Sequence, residues 1–419
     1  MFKMKYQKVD TVIHRLNPFT KLLYSIVISM LVVLLKTPQE LFILALATFC
    51  VLLLARPNLT RLRLLIYTVG IVVIATSVSQ AFFYYFEPRT VILTVVNKNF
   101  PIIGRITGGI YLYKEGIIYG FIQSLRILSV MFMATTVVIS THPSQMIIAL
   151  DKVRIPKEIS FIIATSIRFL PHMIEETKRI WTAIRLKGFK LNNTSNAIKA
   201  FRYVLSPLII NSLRQARLVA LAAEVRGHSF HESVPKRKNS LLRFDTLELV
   251  TISFFIILLY VAILPFKMGL SKIPFIQALF FSIPFTCILL IGIRMVPRPG
   301  SATLIIVGHS LFTQIISRGI NPLWWPYALL EAVILEGYFA ITKDYLKSRH
   351  AFAIAGILRG MSVYLYFYFV ASPYIWHKFY APWYIVIQTS QGVLGSVLGA
   401  LIAYRVSKSV EEAYKYGGL

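Results

Sequence analysis

Cysteine and acidic residues are scarce in this 419-residue sequence, which has two cysteines and sets 17 Asp and Glu against 45 Lys and Arg. Cys50 and Cys287 both lie inside apolar runs without a partner at a recognisable spacing, so the sequence indicates neither a disulfide framework nor a thiolate metal site. The aspartates occur singly, at Asp10, Asp151, Asp245 and Asp344. This argues against a membrane-embedded enzyme acting on lipids, which needs clustered Asp or His near one membrane face.

A phosphate-binding loop is also missing. No Gly-x-x-x-x-Gly-Lys-Ser/Thr segment occurs, and the backbone N–H groups of such a loop are what hold nucleotide phosphates. If ATP hydrolysis drives this protein, we therefore expect ATP and Mg²⁺ to be bound by partner subunits. We expect the chain itself to be no enzyme and to hold no cofactor and no metal.

Apolar residues are abundant, at 56% of the chain, and only 15% of its residues are charged. Several apolar runs approach or exceed the roughly 20 residues that a membrane-spanning helix needs. The runs are 21–35, 41–55, 64–86, 117–139, 246–266, 274–295, 301–317, 326–342, 351–371 and 383–404. They predict an all-α, polytopic integral membrane protein with about ten transmembrane helices.

The positive charge of the chain is concentrated between these runs, including segments 56–63 and 343–350. Because cytoplasmic loops carry an excess of Lys and Arg, both segments are predicted to face the cytoplasm. With ten crossings, the N-terminus and the C-terminus are then both cytoplasmic. The charge excess accordingly indicates a protein of the cell membrane and not one that binds nucleic acid.

The middle of the chain, 140–245, is less apolar, but its apolar residues repeat at helical spacing. We predict long cytoplasmic amphipathic helices here. The polar stretch 228–245 reads as a linker, so the chain divides into modules 1–240 and 241–419. The run 246–266 could belong to either module.

Two similar phrases end the predicted cytoplasmic helices. They are Ala183-Ile184-Arg185-Leu186-Lys187-Gly188 and Ala222-Ala223-Glu224-Val225-Arg226-Gly227. A charged residue followed by Gly is typical of a helix that ends in an αL cap and presents a cationic tip. Each phrase alone is also compatible with an ordinary Gly-capped helix end.

The two tips, together with Leu16-Asn17-Pro18-Phe19-Thr20-Lys21, Arg168-Phe169-Leu170-Pro171 and Glu175-Glu176, resemble the T component of energy-coupling factor (ECF) vitamin transporters. The resemblance covers about residues 10–265. It implies that the tips end the coupling helices and dock in grooves on two ABC-type ATPase subunits. The residues so implied are Ala183, Arg185, Lys187, Gly188, Ala222, Glu224, Arg226 and Gly227. Lys187 departs from the family, which usually has Arg there, and Lys lacks the planar fork of Arg.

The second module resembles the substrate-binding S components of the same transporters in its size and its six apolar runs. Segments 298–303, 329–332 and 336–337 are similar to the S family assigned to hydroxymethylpyrimidine, a thiamine precursor. The resemblance implies a fused S module that binds this cargo. A small-residue stripe that would allow close helix approach lies in the last run, at Gly392, Gly395, Ser396, Gly399 and Ala403.

Cargo-binding candidates are the ionisable, amide and aromatic side chains of the second module. Ionisable and amide groups inside a membrane span need partners, and a carboxylate can pair with the amino group of an aminopyrimidine. The candidates are His309, Gln314, Asn321, Trp324, Trp325, Glu331, Glu336, Trp383, Gln388 and Gln391. The alternatives are an interfacial aromatic belt for the tryptophans and, for Glu336, a helix contact with Arg294 or His309.

Two other functions stay open on the sequence alone. The chain could serve an ECF transporter for another vitamin or for a metal ion, and no residue pattern selects among these cargoes. A membrane-embedded lipid-modifying enzyme is the less favoured alternative.

Overall fold

The computed structural model describes residues 11–84, 87–88, 90–97, 109–142, 145–146, 149, 156–186, 194–225, 244–268, 277–318, 321–343, 345–375, 380 and 382–416. Most of these residues are helical, which confirms the all-α, polytopic fold class. The helices long and apolar enough to cross a membrane are Leu62–Phe82, Lys114–Ser140, Thr246–Ile263, Gln277–Met295, Arg349–Ile375 and Pro382–Glu411. Shorter apolar helices are Pro18–Leu34, Pro38–Leu54 and Ser301–Ile316.

The helices follow the predicted apolar runs closely. In the described part of the chain they are α1 (Val12–Arg15), α2 (Pro18–Leu34), α3 (Pro38–Leu54), α4 (Leu59–Phe83), α5 (Lys114–Ser140), α6 (Lys157–Leu186), α7 (Thr194–Val225), α8 (Thr246–Met268), α9 (Gln277–Met295), α10 (Ser301–Thr313), α11 (Trp325–Thr342), α12 (Arg349–Tyr366) and α13 (Pro382–Tyr416). The π-helical segments Gln314–Arg318 and Phe367–Ile375 extend α10 and α12. In the described residues, each of the ten runs thus corresponds to a helix, and ten crossings remain a prediction.

Local sequence explains where the first helices begin. The side chain of Asn17 accepts a hydrogen bond from the Phe19 N–H, and Pro18 occupies the first turn of α2, where its missing N–H costs nothing. Thr37 and Glu40 form a reciprocal capping box at the start of α3. The motif that begins at Leu16 is therefore in part a helix-start signal.

A β-hairpin that the sequence analysis did not predict precedes α5. Strands β1 (Val91–Val96) and β2 (Ile110–Tyr113) pair antiparallel. The side chain of Glu115, in the first turn of α5, accepts hydrogen bonds from the N–H and the hydroxyl of Thr90 at 2.8 and 2.6 Å. The β-branched residues of β1 favour an extended strand, and the Glu115 carboxylate fixes its start beside α5.

The chain divides into two compact units. Unit 1 comprises residues 1–153, 313–326 and 364–388, and unit 2 comprises 154–312, 327–363 and 389–419. This division is interleaved along the sequence, unlike the predicted modules 1–240 and 241–419, which remain a prediction.

In unit 1, helices α2, α3 and α4 pack against α5. Gly116 of α5 allows close approach to α4, because a Cβ at this position would lie 2.6 Å from the Gln80 carbonyl oxygen. Two buried cations also join helices here. Lys21 Nζ donates to the carbonyl oxygen of Ser140 at 2.7 Å, and Arg126 Nη2 donates to that of Leu35 at 3.0 Å.

In unit 2, the long helices α6 and α7 pack on each other and on α8, which also packs on α9. Asn211 of α7 donates to Glu176 of α6 at 2.8 Å, and the Ser166 hydroxyl of α6 donates to the Ser253 carbonyl of α8 at 3.1 Å. Helix α8, the run that the sequence could not assign to one module, is buried along most of its length. It therefore contacts helices of both predicted modules.

The small-residue stripe of the last run packs within unit 2. Gly395 and Gly399 of α13 face the backbone of α9, and a Cβ on Gly395 would lie 2.5 Å from the Leu279 carbonyl oxygen. Gly356 and Gly360 of α12 approach α13 in the same manner. The stripe thus allows α9, α12 and α13 to pack closely inside the second module.

Candidate functional site

A buried ion pair joins two helices of unit 2. Arg359 Nε of α12 donates to Glu331 Oε1 of α11 at 3.1 Å, and both side chains are 1% exposed. Each residue lies well inside its helix. Charged groups at such positions are costly unless they are paired.

Hydroxyl groups and an aromatic ring complete the surroundings of Arg359. Its Nη1 donates to Ser396 Oγ of α13 at 3.2 Å and to Thr286 Oγ1 of α9 at 3.4 Å. Its Cζ lies 4.5 Å from the centroid of the Phe285 ring, at cation–π distance. Four helices, α9, α11, α12 and α13, thus contribute to one polar cluster.

One acceptor of this cluster is unused. Glu331 Oε2 is buried and has no hydrogen-bond partner within the described part of the chain. An ionised carboxylate can only accept hydrogen bonds, and a buried acceptor without a donor is costly. A ligand that donates an N–H or O–H group would satisfy it.

Glu336, the second carboxylate of α11, has a different role. Its Oε1 accepts a hydrogen bond from the Thr303 N–H at 3.2 Å, in the first turn of α10, where a negative charge complements the helix dipole. Burial and the nearby charge of Glu336 raise the pKa of the Tyr345 phenol above its usual range. Arg294, one partner considered for Glu336, instead pairs with Glu411 at 2.7 Å.

The two other candidates of unit 2 are His309 and Gln391. His309 meets the Phe285 ring edge-on, with centroids 5.4 Å apart, and the same ring contacts Arg359. Gln391 is half-buried, and its Oε1 has no hydrogen-bond partner among the described residues.

In unit 1, the side chains of Gln314 and Asn321 accept hydrogen bonds from nearby backbone N–H groups. Gln314 Oε1 accepts the Asn321 N–H at 2.8 Å, and Asn321 Oδ1 accepts the Leu323 N–H at 3.0 Å. Trp324 and Trp325 follow at the start of α11 and are half-buried. The Trp325 indole nitrogen is buried without a hydrogen-bond partner in the described part of unit 1.

An aromatic cluster surrounds the start of α13. Trp383 meets Tyr384 edge-on at 5.9 Å, Tyr384 stacks on Tyr380 at 5.4 Å, and Tyr368 meets both tyrosines edge-on. Gln388, one turn further along α13, is buried. Tyr368 belongs to the π-helical segment Phe367–Ile375, and π-helical turns are frequent at functional sites.

The cargo candidates therefore divide between the units. His309, Glu331, Glu336 and Gln391 belong to unit 2, and Gln314, Asn321, Trp324, Trp325, Trp383 and Gln388 to unit 1. Sequence reasoning missed Arg359, together with Thr286 and Ser396. The available signal was the position of Arg359 inside the run 351–371, since the rule that selected Glu331 applies equally to an arginine within a span.

The coupling-tip phrases coincide with the ends of α6 and α7, at Leu186 and Val225. These two apolar side chains are 83% and 89% exposed, and Ala183 and Ala222 are also exposed. The side chains of Arg185 and Glu224, and residues Lys187, Gly188, Arg226 and Gly227, lie outside what the structure describes. ATPase docking by the tips remains a prediction.

Within the described part of the chain, no three His, Cys, Asp or Glu side chains are grouped so that they could hold a metal ion.

Comparison with known proteins matches residues 10–236 to the family described as CbiQ, cobalt transport protein. Three similar proteins are each called energy-coupling factor transporter transmembrane protein EcfT. The Macrococcus caseolyticus protein is 24% identical over 271 residues, which cover 59% of this chain and 92% of the relative. The Bacillus subtilis protein is 27% identical over 242 residues (55% and 86%), and the Staphylococcus aureus protein is 24% identical over 235 residues (54% and 82%).

Proposed function

This chain belongs to the cobalt transport protein family and is a multi-pass membrane component of an ECF transporter, and on that premise we propose that it couples two ABC-type ATPase subunits to a substrate-binding module fused in its second half. It is a transporter subunit and not an enzyme. ATP and Mg²⁺ bind to the partner subunits. The observation that carries the proposal is the family match, because residues 10–236 contain both predicted coupling tips.

The ends of α6 and α7 support ATPase docking. Each helix ends in an exposed apolar side chain, Leu186 or Val225, and a basic residue with a glycine follows it in the sequence. An apolar anchor beside a cation suits a groove with an apolar floor and an acidic rim. Arg226 contributes more than Lys187, because the guanidinium group can form two parallel hydrogen bonds with a carboxylate.

Helix α8 supplies a path for transmission. It packs on α6 and α7 on one side and on α9, the first helix of the proposed S module after it, on another. Movement of the tips when the ATPases approach each other passes through these contacts, and the S module responds by releasing its cargo inward. ATP performs this work only if it binds the two states with different affinity.

The cargo we propose is hydroxymethylpyrimidine, taken up through the cell membrane with both chain termini in the cytoplasm. The basis is the resemblance of segments 298–303, 329–332 and 336–337 to the corresponding S family. Another vitamin or a metal ion is the alternative cargo, and the family description mentions cobalt. In the described residues, the lack of a grouped set of metal ligands favours an organic cargo.

Charge reversal at the second tip tests the coupling role. Arg226→Glu should abolish co-purification of the ATPase subunits and leave cargo binding intact. Arg349→Glu, at an exposed position at the start of α12, is the matched control and should retain the ATPases. Unchanged ATPase binding in Arg226→Glu would reject the docking assignment.

Ligand titration tests the cargo. Tryptophan fluorescence of the purified chain should be quenched saturably by hydroxymethylpyrimidine and unchanged by biotin. Cobalt(II), titrated in the same assay, represents the metal alternative. Binding of cobalt without binding of the pyrimidine would replace the proposed cargo and leave the coupling role unaffected.

A further inference from the structure

We propose that Glu331 and Arg359 form the recognition centre of the cargo site and that this centre selects uncharged heterocycles carrying an amino N–H donor. The inference rests on the proposed function, because it assumes that the second half of the chain binds cargo. It deepens that function by naming the chemical group that is recognised and by adding Arg359, Thr286 and Ser396 to the site.

The first argument is the position of the pair. Glu331 and Arg359 are each 1% exposed and lie in the interior of α11 and α12. Two apolar residues in their place would pack without any desolvation cost, and replacing a buried ion pair by apolar residues is often neutral or stabilising. Stability alone therefore does not account for the pair, and an ionisable residue within a span is by default a functional candidate.

The second argument is the arrangement of donors and acceptors. Arg359 is held by hydrogen bonds to Glu331 Oε1, Thr286 and Ser396, and it lies over the Phe285 ring. Glu331 Oε2 has no hydrogen-bond partner in the described residues. The Arg359 bond fixes the orientation of the carboxylate, so that Oε2 accepts one hydrogen bond from the cargo.

The third argument is charge. The carboxylate and the guanidinium group together carry no net charge, so the centre gains little by binding a cation. An uncharged aminopyrimidine donates an N–H to Oε2 and leaves the pair intact. Thiamine carries a permanent positive charge on its thiazolium ring, which nothing in the cluster neutralises.

The surroundings suit a flat ring. Phe285 contacts both Arg359 and His309, so the cluster includes an apolar ring beside the ion pair. Because Glu331 and Arg359 are almost fully covered in this structure, the cargo must displace neighbouring side chains to reach them. Glu336 is not part of this centre, since its carboxylate is occupied by the start of α10.

The test compares two pyrimidines that differ in one group. Hydroxymethylpyrimidine and its analogue with a hydrogen in place of the exocyclic amino group, which has no donor at this position, are titrated into wild type, Glu331→Gln and the control Glu336→Gln. The wild type should prefer the amino compound. Glu331→Gln should bind the amino compound at least about tenfold more weakly, because a hydrogen bond to a charged group is lost, and it should lose most of the preference. Glu336→Gln should keep the preference of the wild type.

Arg359→Gln provides a second test, in which the measured quantity is the preference between an uncharged and a cationic ligand. A purely structural role of Arg359 would leave this preference unchanged. This variant leaves a net negative charge in the centre, so its preference should shift from the uncharged pyrimidine towards cationic thiamine. If either single variant does not fold, the double variant Glu331→Gln/Arg359→Met removes both charges and should lose the preference for the amino group.

The outcomes separate this inference from the proposed function. The inference is overturned if the wild type binds hydroxymethylpyrimidine but Glu331→Gln, or the double variant, keeps an unchanged preference for the amino group. This result would not affect the proposed cargo. Binding of neither pyrimidine by the wild type rejects the proposed cargo and the inference with it. Loss of the preference in Glu331→Gln alone, with Glu336→Gln unchanged, supports the inference.

Discussion

The buried cations of the two compact units donate their hydrogen bonds to different kinds of acceptor. In unit 1, Lys21 donates to the carbonyl oxygens of Ser140 and His14, and Arg126 donates to the Leu35 carbonyl oxygen just beyond α2. In unit 2, Arg359 faces the carboxylate of Glu331. Carbonyl groups at helix C-termini carry partial negative charge, so Lys21 and Arg126 join helix ends without an acidic partner among the described residues.

We infer a structural role for Lys21 and a recognition role for the pair of Glu331 and Arg359. At Ser140, Lys21 satisfies a carbonyl group at the end of α5, and the contact needs no further group. The Glu331 carboxylate keeps one oxygen without a donor in the described residues. Variants at both places, and at positions where a smaller loss of stability is expected, test this distinction.

The largest effect is expected from breaking the buried pair. Arg359→Met leaves an uncompensated carboxylate at Glu331 and should lower the free energy of unfolding by about 3–5 kcal/mol. The double variant Glu331→Gln/Arg359→Met should recover most of this loss. Thermal unfolding in detergent measures both variants. A double variant as unstable as the single one would show that the ion pair itself stabilises unit 2.

Removal of the unit 1 cation should have a smaller effect. Lys21→Met leaves the Ser140 carbonyl oxygen without its donor and should cost about 1–3 kcal/mol. Lys36→Met, at an exposed lysine beyond the end of α2, is the matched control and should change little. The same thermal unfolding assay applies, and equal effects of the two substitutions would refute the carbonyl contact as a stabilising feature.

Substituting the glycines that allow close helix approach should lower the free energy of unfolding by similar amounts in the two units. Gly395→Ala places a methyl group against the Leu279 carbonyl of α9, and Gly116→Ala does the same against the Gln80 carbonyl of α4. Each should destabilise the protein by about 1–3 kcal/mol. Gly337→Ala is the control, because nothing lies within 4 Å of the added Cβ; it should stabilise α11 slightly. A stabilising Gly395→Ala would contradict the close packing of α9 and α13.

The smallest effect is expected at a partly exposed ion pair of unit 2. Arg298 Nε lies 2.7 Å from Glu248 Oε1, but the arginine side chain is 48% exposed. Arg298→Ala should cost less than about 1 kcal/mol and the cost should decrease at high salt. A loss as large as that of Arg359→Met would mean that burial does not determine the difference between these pairs.

Apolar runs predicted the helices because a continuous stretch of apolar residues has few alternatives in a membrane. The family resemblance of the first module is confirmed by the matches over residues 10–236, whereas the S-component resemblance of the second module stays a prediction. The hairpin was missed because the β-branched stretch 91–96 is short, and its stabilising contact comes from Glu115, 25 residues beyond Thr90.

The sequence did not predict which residues on different helices contact each other. Glu331 and Glu336 were both identified as candidates, but their periodicity does not reveal that one meets Arg359 and the other the start of α10. Likewise, the small-residue stripe predicted close approach without indicating which helix approaches. Such pairings depend on how helices are ordered around each other, and one sequence contains no direct record of that order.

The ion pair also bears on how the chain enters the membrane during synthesis. Glu331 is translated before Arg359, and the two helices that carry them, α11 and α12, are consecutive and joined by the short segment 343–348. An isolated α11 would bring the Glu331 carboxylate into the lipid without its partner, and an unpaired charge inside the membrane is costly. Insertion of the two helices together as a hairpin brings both charges into the membrane as a neutral pair. Because this avoids an unpaired charge in the lipid, we expect α11 to leave the translocation channel only together with α12.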